Sequence, residues 1–473
     1  MTTLTHDEIV HFLALIFNLQ PEDFMLIVPV CNETTNEVIV KLTPTTQYCP
    51  HCGSNNITVK DYNNRKISHQ MIAGSNTAMI YSSRRYKCKS CGKTFTEVNP
   101  FSHARSRISL KTIDLIMKDL ENPTETFSNV ARRYHVSTTT VQRIFDEHFT
   151  PPTPHLTRHV CIDENYAYHS NDVDSNYICV LMDYDSKKII DILPSRRLDY
   201  LSNYFRNIPK SERENVKLLC SDMFDAYRTL SNKYLNNCCH VVDHFHVVKD
   251  FYDRFDRIRI SVMNQLRARD TKSDEYYLIK HFNWMLKRDD ERFYDPSLPK
   301  KFNRRMNRYL NLFDIYQLLL DIHPLLTEGV NLRDELKSFF ENTTSKNAKE
   351  EFSKLVKCFS ESNEPEFKKF ASTLIKWKWS IINYFINIGD NTNVKHISNG
   401  LLENRNKIIK EIKYNANGYR NFERFRARIF YSLNKNYDHY LINPDKEKQE
   451  YNKQRLKNNY QRHLKKIENK KPN

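Results

Sequence analysis

Glycine is scarce in this chain of 473 residues, seven in all, against an average usage of roughly 7%. Glycine-rich phosphate loops therefore lack material, and neither a P-loop nor a dinucleotide fingerprint is present. Nor is there a run of 18 or more apolar residues. The best candidate, IVHFLALIFNL at 9–19, is too short to span a bilayer and follows His6, Asp7 and Glu8. It reads as an amphipathic or buried helix, so a cytoplasmic protein without a membrane partner is expected. Acidic residues are in the minority: 57 Asp plus Glu stand against 73 Lys plus Arg, a formal charge of +16. That balance favours a polyanionic partner such as nucleic acid over an acidic small molecule.

Eleven cysteines are present, but they do not read as a disulfide framework. Four form two CxxC pairs and most of the others fall inside apolar runs, the pattern of metal ligands plus buried thiols in a reducing compartment. Cys49 and Cys52 lie in YCPHCGS, and Cys88 and Cys91 in YKCKSCGKTF. Two residues between cysteines let both thiolates of a tight turn face one tetrahedral ion, so two such turns make a four-cysteine Zn²⁺ site. The 35 residues between the pairs have room for a β-hairpin, at Ile57–Tyr62 and Met79–Tyr86. Neither pair follows a strand and opens a helix, which disfavours a redox role. The expected role is structural, presenting Arg84, Arg85, Lys87 and Lys93 to DNA.

TFSNVARRYHVSTTTVQRIFDEH, residues 126–148, carries a helix-turn-helix pattern. Val130, Ala131 and Tyr134 make one apolar face, His135 and Val136 the turn, Ser137 a cap, and Val141, Ile144 and Phe145 the inward face of a second helix. Its outward set, Thr138, Thr139, Gln142 and Arg143, suits base edges and phosphates, and Arg132 and Arg133 suit phosphate. An ordinary helical hairpin is the competing reading.

Pro151, Pro152 and Pro154 mark a joint. Beyond it the pattern reads β-β-β-α-β-α-β: Val160–Asp163, Tyr177–Asp183, Lys188–Leu193, a helix around Leu198–Phe205, Val216–Asp222, a further helix, and Cys238–Val242. From about 247 to 395 the spacing is helical throughout, with Trp377 and Trp379 as core residues or as platforms for a displaced base. Asp163 and Asp222 end apolar strands, where carboxylates of an α/β layout project into a shared crevice and can share divalent metals. A third acid is expected from a later helix. Glu403 is the best candidate because Asn399, Glu403, Asn406 and Lys410 line up on one face, apart from the apolar stripe of Leu401, Leu402, Ile408, Ile409 and Ile412. Glu164, Asp183, Asp225 and Asp243 compete for the same roles on pattern alone.

The two cysteine pairs, the helix-turn-helix, CIDENYAY, CSDMFDAYR, VVDHFHVVKDFYDR and SNGLLENRNKIIKEIKYNANGYRNFERFRARI, in that order, resemble bacterial insertion-sequence transposases of the ISL3 family over nearly the whole chain. The resemblance implies a multidomain α/β plus α protein. Its parts would be a zinc-binding module (1–100), a helix-turn-helix domain (101–150), an RNase H-like mixed-sheet core (155–250 and 396–440) interrupted by a mostly α-helical insertion (251–395), and a basic tail (441–473). It implies DDE chemistry with Mg²⁺ or Mn²⁺ on Asp163, Asp222 and Glu403, acting on double-stranded DNA at terminal inverted repeats and at a target, in a homo-oligomeric synaptic complex associated with the nucleoid. DHFHVVK matches the family at Asp243, His244, Phe245, His246 and Lys249, with His244 where the family often has Arg; His246 is placed to orient the site, to bind DNA, or to serve as a structural residue. GYRNFERFRARI matches a closing basic helix, whose Arg420, Arg424, Arg426 and Arg428 would contact DNA. Two rival classes remain: a transposase-derived DNA-binding regulator without catalysis, and an RNA-guided nuclease, in which the ribbon would follow rather than precede the first acid.

Overall fold

The computed structural model describes residues 6–17, 19–31, 36–45, 47–70, 75–103, 106–166, 175–390 and 393–434; the basic tail expected at 441–473 lies outside them. The chain divides into two compact units, one running to Thr153 and resuming at Ile408, the other spanning Pro154–Lys407.

The first unit opens with α1 (His6–Phe17), then β1 (Phe24–Cys31), β2 (Asn36–Leu42), β3 (Ile57–Ser68), β4 (Thr77–Cys88) and β5 (Thr94–Thr96). The strands order as β1-β2-β4-β3, with β5 on β4. Helix α1 is amphipathic: Leu13, Ala14 and Phe17 are buried while Phe12 and Leu15 are exposed. Its inner face packs with Ile27, Val40, Ile67, Met79 and Tyr81. Helices α2 (Leu110–Asp119), α3 (Phe127–Arg133) and α4 (Thr138–His148) follow.

In the second unit come β6 (His159–Asn165), β7 (Ile178–Asp183), β8 (Ile189–Leu193), α5 (Leu198–Asn207), α6 (Lys210–Asn215), β9 (Leu218–Ser221), α7 (Asp225–Tyr234) and β10 (Cys239–Val242). The sheet order is β10-β9-β6-β7-β8. Strands β10, β9 and β6 are parallel neighbours, and β7 runs antiparallel between β6 and β8. Every residue of β7 and β8 is buried, as expected of a sheet covered on both faces. Val160 and Ile162 of β6 pack with Leu201, Phe205, Tyr227 and Leu230 of α5 and α7. Alternation along the strand turns Cys161, Asp163 and Asn165 to the other face, where the Cys161 thiol donates to the Ser398 carbonyl.

A helical region continues with α8 (His244–Arg269) and α9 (Asp274–His281), then β11 (Lys301–Asn303) and β12 (Arg308–Leu310), then α10 (Leu312–Leu320), α11 (Pro324–Asn342), α12 (Ala348–Glu361), α13 (Pro365–Lys376) and α14 (Lys378–Ile382). The β11–β12 hairpin corrects the expectation of helix throughout. Asn303 Oδ1 accepts from the backbone N–H groups of Arg305 and Met306, and Asn307 adopts a positive φ of 53°; such an Asn turn diverts the chain from a helix. Phe251, Phe255, Phe359, Phe367 and Phe370 centre this region's core, with Trp377 buried in it, whereas Trp379 is exposed. Gly329 of α11 faces the ring of Phe255, and a Cβ there would overlap it. Gly329→Ala should therefore lower stability by about 1–3 kcal/mol through overpacking, despite the roughly 1 kcal/mol gain in helix propensity; a urea titration reads the difference.

Helix α15 (Gly400–Asn415) starts in the second unit, and α16 (Phe422–Leu433) belongs to the first. Tyr431 of α16 packs its ring on Phe145 and Phe149, and Tyr419 packs on Phe127.

Candidate catalytic centre and nucleic-acid interface

The four cysteines of the CxxC pairs converge, their Sγ atoms all within 4.8 Å of one another. Cys49–Cys91 and Cys52–Cys88 are 3.6 Å apart. Four ligands at about 2.3 Å around a tetrahedral zinc stand about 3.8 Å from each other, so the cluster fits that ion. Each turn closes by a glycine N–H on the first cysteine's carbonyl, Gly53 on Cys49 and Gly92 on Cys88. Both glycines have φ near +72°, a conformation that side-chain-bearing residues rarely adopt. Arg84, expected to face DNA, is instead buried, ion-paired with Glu97 and donating to the Leu42 carbonyl. Arg85, Lys87 and Lys93 are exposed.

The helix-turn-helix forms as its capping residues direct. Thr126 accepts from Asn129 N–H and Ser137 from Thr140 N–H, while His135 turns the chain with φ 53°. Val130, Ala131, Val141, Ile144 and Phe145 are buried. Thr139 and Arg143 are exposed, with Thr138 and Gln142 half-buried. A groove of about 480 Å³ runs between Thr126, Asn129, Arg132, Thr138, Gln142 and Arg420. Arg143 pairs with Glu147 one turn on, and other basic candidates are also engaged within the chain. Arg133 pairs with Asp119 and Glu125, and Arg424 with Asp146. Arg428 is fully buried and donates to the carbonyls of Asn122 and Glu125; burial pulls its pKa down to about 10. Arg428 is thus an internal fastener and not the DNA contact expected of it.

In the second unit, Cys161 of β6 pairs with Cys220 of β9, and Cys220 with Val241 of β10. Two residues further on stand Asp163, Asp222 and Asp243, one row across the carboxyl ends of three adjacent parallel strands. Asp163 lies within β6 rather than at its last residue. Asn406 Nδ2 donates to Asp163 Oδ2 at 2.8 Å, and Asn165 Nδ2 in turn holds the Asn406 carbonyl at 2.8 Å. Asn399 is fully buried and donates through Nδ2 to the Ile162 carbonyl and through its backbone N–H to Asp243. Lys410, aligned with them by helical period, is exposed.

The electrostatics separate these acids. Burial raises the Asp163 carboxyl to about 7, and the charges of Glu164 and Glu403 add to the rise. Asp222 is raised to about 7 by burial first, then by Glu164 and Asp163, and its Oδ1 is buried without a hydrogen-bond partner. Burial opposes ionisation of Asp243 as well, but contacts from His244 and the N–H groups of Asn399 and Phe245 prevail and hold it below the usual range. Glu164 is occupied by Arg196 and Tyr227. Asp183 binds the N–H groups of its own turn, and Asp225 pairs with Arg228 and Lys376. Crowded, proton-retaining carboxylates with an unpartnered oxygen fit a divalent cation. Residue patterns had not singled out Asn165, Arg196 or Tyr227; period-two alternation from Asp163 was the available signal for Asn165.

A stability consequence follows. In the folded chain Asp163 and Asp222 hold their protons from 3.8 up to about 7, so folding is progressively disfavoured as pH rises across that window and remains so above it. Asp163→Asn should raise the stability of the metal-free protein at pH 8 by on the order of 1–3 kcal/mol and change it little at pH 4, as thermal melts at the two pH values would register.

Three family models match in chain order: a zinc finger of transposases of the IS204/IS1001/IS1096/IS1165 group at residues 45–91, the helix-turn-helix domain of transposase family ISL3 at 97–148, and a transposase domain at 160–429. The chain belongs to the ISL3 family of insertion-sequence transposases. It is also similar to the transposase for insertion sequence element IS1001 of Bordetella parapertussis, 23% identical over 401 residues that cover 84% of this chain and 91% of the relative. The ISL3 transposase thus joins a DNA-binding helix-turn-helix to a catalytic transposase domain, and nothing in these matches supports a regulator without catalysis. Among the described residues no helix is long and apolar enough to cross a membrane.

Proposed function

We propose that this transposase is a DDE-type enzyme with an RNase H-like core, a helical insertion at 251–395 and divalent-metal dependence, acting at the terminal inverted repeats of its element and then at target DNA. The observation that carries the reading is the row of Asp163 and Asp222 at neighbouring parallel strand ends, with the Glu403 charge felt at Asp163. The sheet order β10-β9-β6-β7-β8 supports it. Asp163, Asp222 and Glu403 would hold Mg²⁺ or Mn²⁺, which when bound activates a water or 3′-hydroxyl and stabilises the leaving oxygen of a phosphodiester. Asn406 fixes one oxygen of Asp163. Arg196 and Tyr227 keep Glu164 turned to its own partners, which prevents a fourth free carboxylate from competing.

For DNA, Thr138, Thr139, Gln142 and Arg143 would read bases, with Arg132 and Arg420 on phosphates. Arg133 and Arg424, from the same set, would act by bracing the fold. Zn²⁺ on Cys49, Cys52, Cys88 and Cys91 would hold the ribbon, and pairing of two ends calls for a homo-oligomer. The test is incubation of the protein with a fragment carrying the element's ends in Mg²⁺ or Mn²⁺. Nicks at the repeat termini are expected; binding without nicks under every metal condition would overturn the catalytic reading.

A further inference from the structure

Glu403 also clusters with two residues other than Asp163 and Asp222. One ligand atom each from Asp243, His246 and Glu403 lie within 4.8 Å of one another, and among the described residues Asp163 and Asp222 are not members of that group. Asp243 caps the start of α8, and His246 sits in the first turn of that helix. Asp243 Oδ1 accepts the Phe245 N–H at 3.3 Å and also stands 3.3 Å from His244 Nδ1, whereas Oδ2 accepts the Asn399 N–H at 3.1 Å. These contacts orient the carboxylate, and Oδ2, with one bond, keeps a lone pair for a cation.

His246 Nε2 is buried without a hydrogen-bond partner. It stands 3.9 Å from Glu403 Oε1, too far for a hydrogen bond. Two ligands at about 2.1 Å from one octahedral ion stand about 3 Å apart when adjacent and about 4.2 Å when opposite, and this pair falls between those limits. Asn399, fully buried against Asp243, also has an unpartnered Oδ1. A helix cap explains the position of Asp243 alone; it does not explain a desolvated imidazole nitrogen facing two carboxylates, which is costly unless something occupies the space between them.

We propose that Asp243, His246 and Glu403 form a second divalent-cation site, distinct from that of Asp163 and Asp222, which takes a first-row transition-metal ion in preference to Mg²⁺. The chemistry of the donors sets the preference. Mg²⁺ takes oxygen ligands and keeps its waters, whereas imidazole nitrogen is a ligand for the transition series. Glu403, whose charge also reaches Asp163, is the residue common to both sites. The inference builds on the catalytic reading of Glu403, but its test does not use cleavage.

Mn²⁺ is the probe, added to untagged, zinc-loaded full-length protein. Pulsed electron paramagnetic resonance is expected to detect imidazole nitrogen coupled to bound Mn²⁺, and titration to give two sites. In His246→Gln the nitrogen coupling should vanish and one site should weaken at least about tenfold. Asp163→Asn should keep the coupling and lose the other site. Glu403→Gln, which leaves the imidazole in place, should weaken the coupled site and so guards against a folding defect peculiar to the His246 variant. Absence of nitrogen coupling in the wild type, or its persistence in His246→Gln, would overturn the proposal. If coupling is present and the wild type cuts no DNA, the catalytic reading fails and the metal site stands; cutting without coupling has the opposite meaning.

Discussion

Asp163→Asn and Asp222→Asn should each cut strand cleavage at the element's ends by at least about a thousandfold, with affinity for those ends unchanged within about twofold. The loss would be large on the proposed reading because Asp163 of β6 and Asp222, just past the end of β9, come from neighbouring parallel strands and would hold the same cation, so removing either charge removes a ligand and the compensation for its neighbour. An amide keeps the shape and the bond from Asn406 but cannot carry the negative charge that binds the ion. Affinity is preserved because the residues proposed to read DNA belong to the other compact unit. Gel-shift titration alongside a single-turnover cleavage assay separates the effects. Cleavage within tenfold of wild type in either variant would remove that aspartate from the centre.

The second large effect concerns the ribbon. Cys88→Ser, or removal of zinc by a chelator, should unfold the segment around residues 45–96 and weaken end binding by at least about tenfold. A structural zinc site contributes about 10–16 kcal/mol of apparent binding energy, more than a small module can replace from its own core. Cys49 and Cys88 are buried, so in the absence of the ion four sulfurs would crowd together without the positive charge that holds them. Limited proteolysis should then cut within residues 45–96. Unaltered protease resistance and affinity in a preparation proved free of zinc by elemental analysis would refute the assignment.

What could be read from residues alone was what is decided locally. The cysteine turns and the cap at Ser137 depend on partners two to four positions away, and they formed as read. The places of Asp163 and Asp222 at strand ends were legible because apolar runs stop beside them. Glu403 was not legible to the same degree: on a helix its neighbours come from β6 and α8, so its polar face made it a candidate and the family resemblance added the rest. Arg84 and Arg428 were misread for the same reason. A cation looks solvent-facing until a distant Glu97, or the carbonyls at Asn122 and Glu125, turn out to enclose it. The β11–β12 hairpin escaped because the left-handed Asn307 leaves no trace in apolar spacing.

The fastening of α16 onto the helix-turn-helix has a consequence for the timing of synthesis. Phe127, Phe145 and Phe149 leave the ribosome long before Tyr419, Arg428 and Tyr431 exist to cover them. At about 5–20 residues per second the wait is on the order of 10–60 s. During that interval the nascent helices carry an unsealed apolar flank, and the DNA-binding unit reaches its finished form only after the whole catalytic unit has been translated.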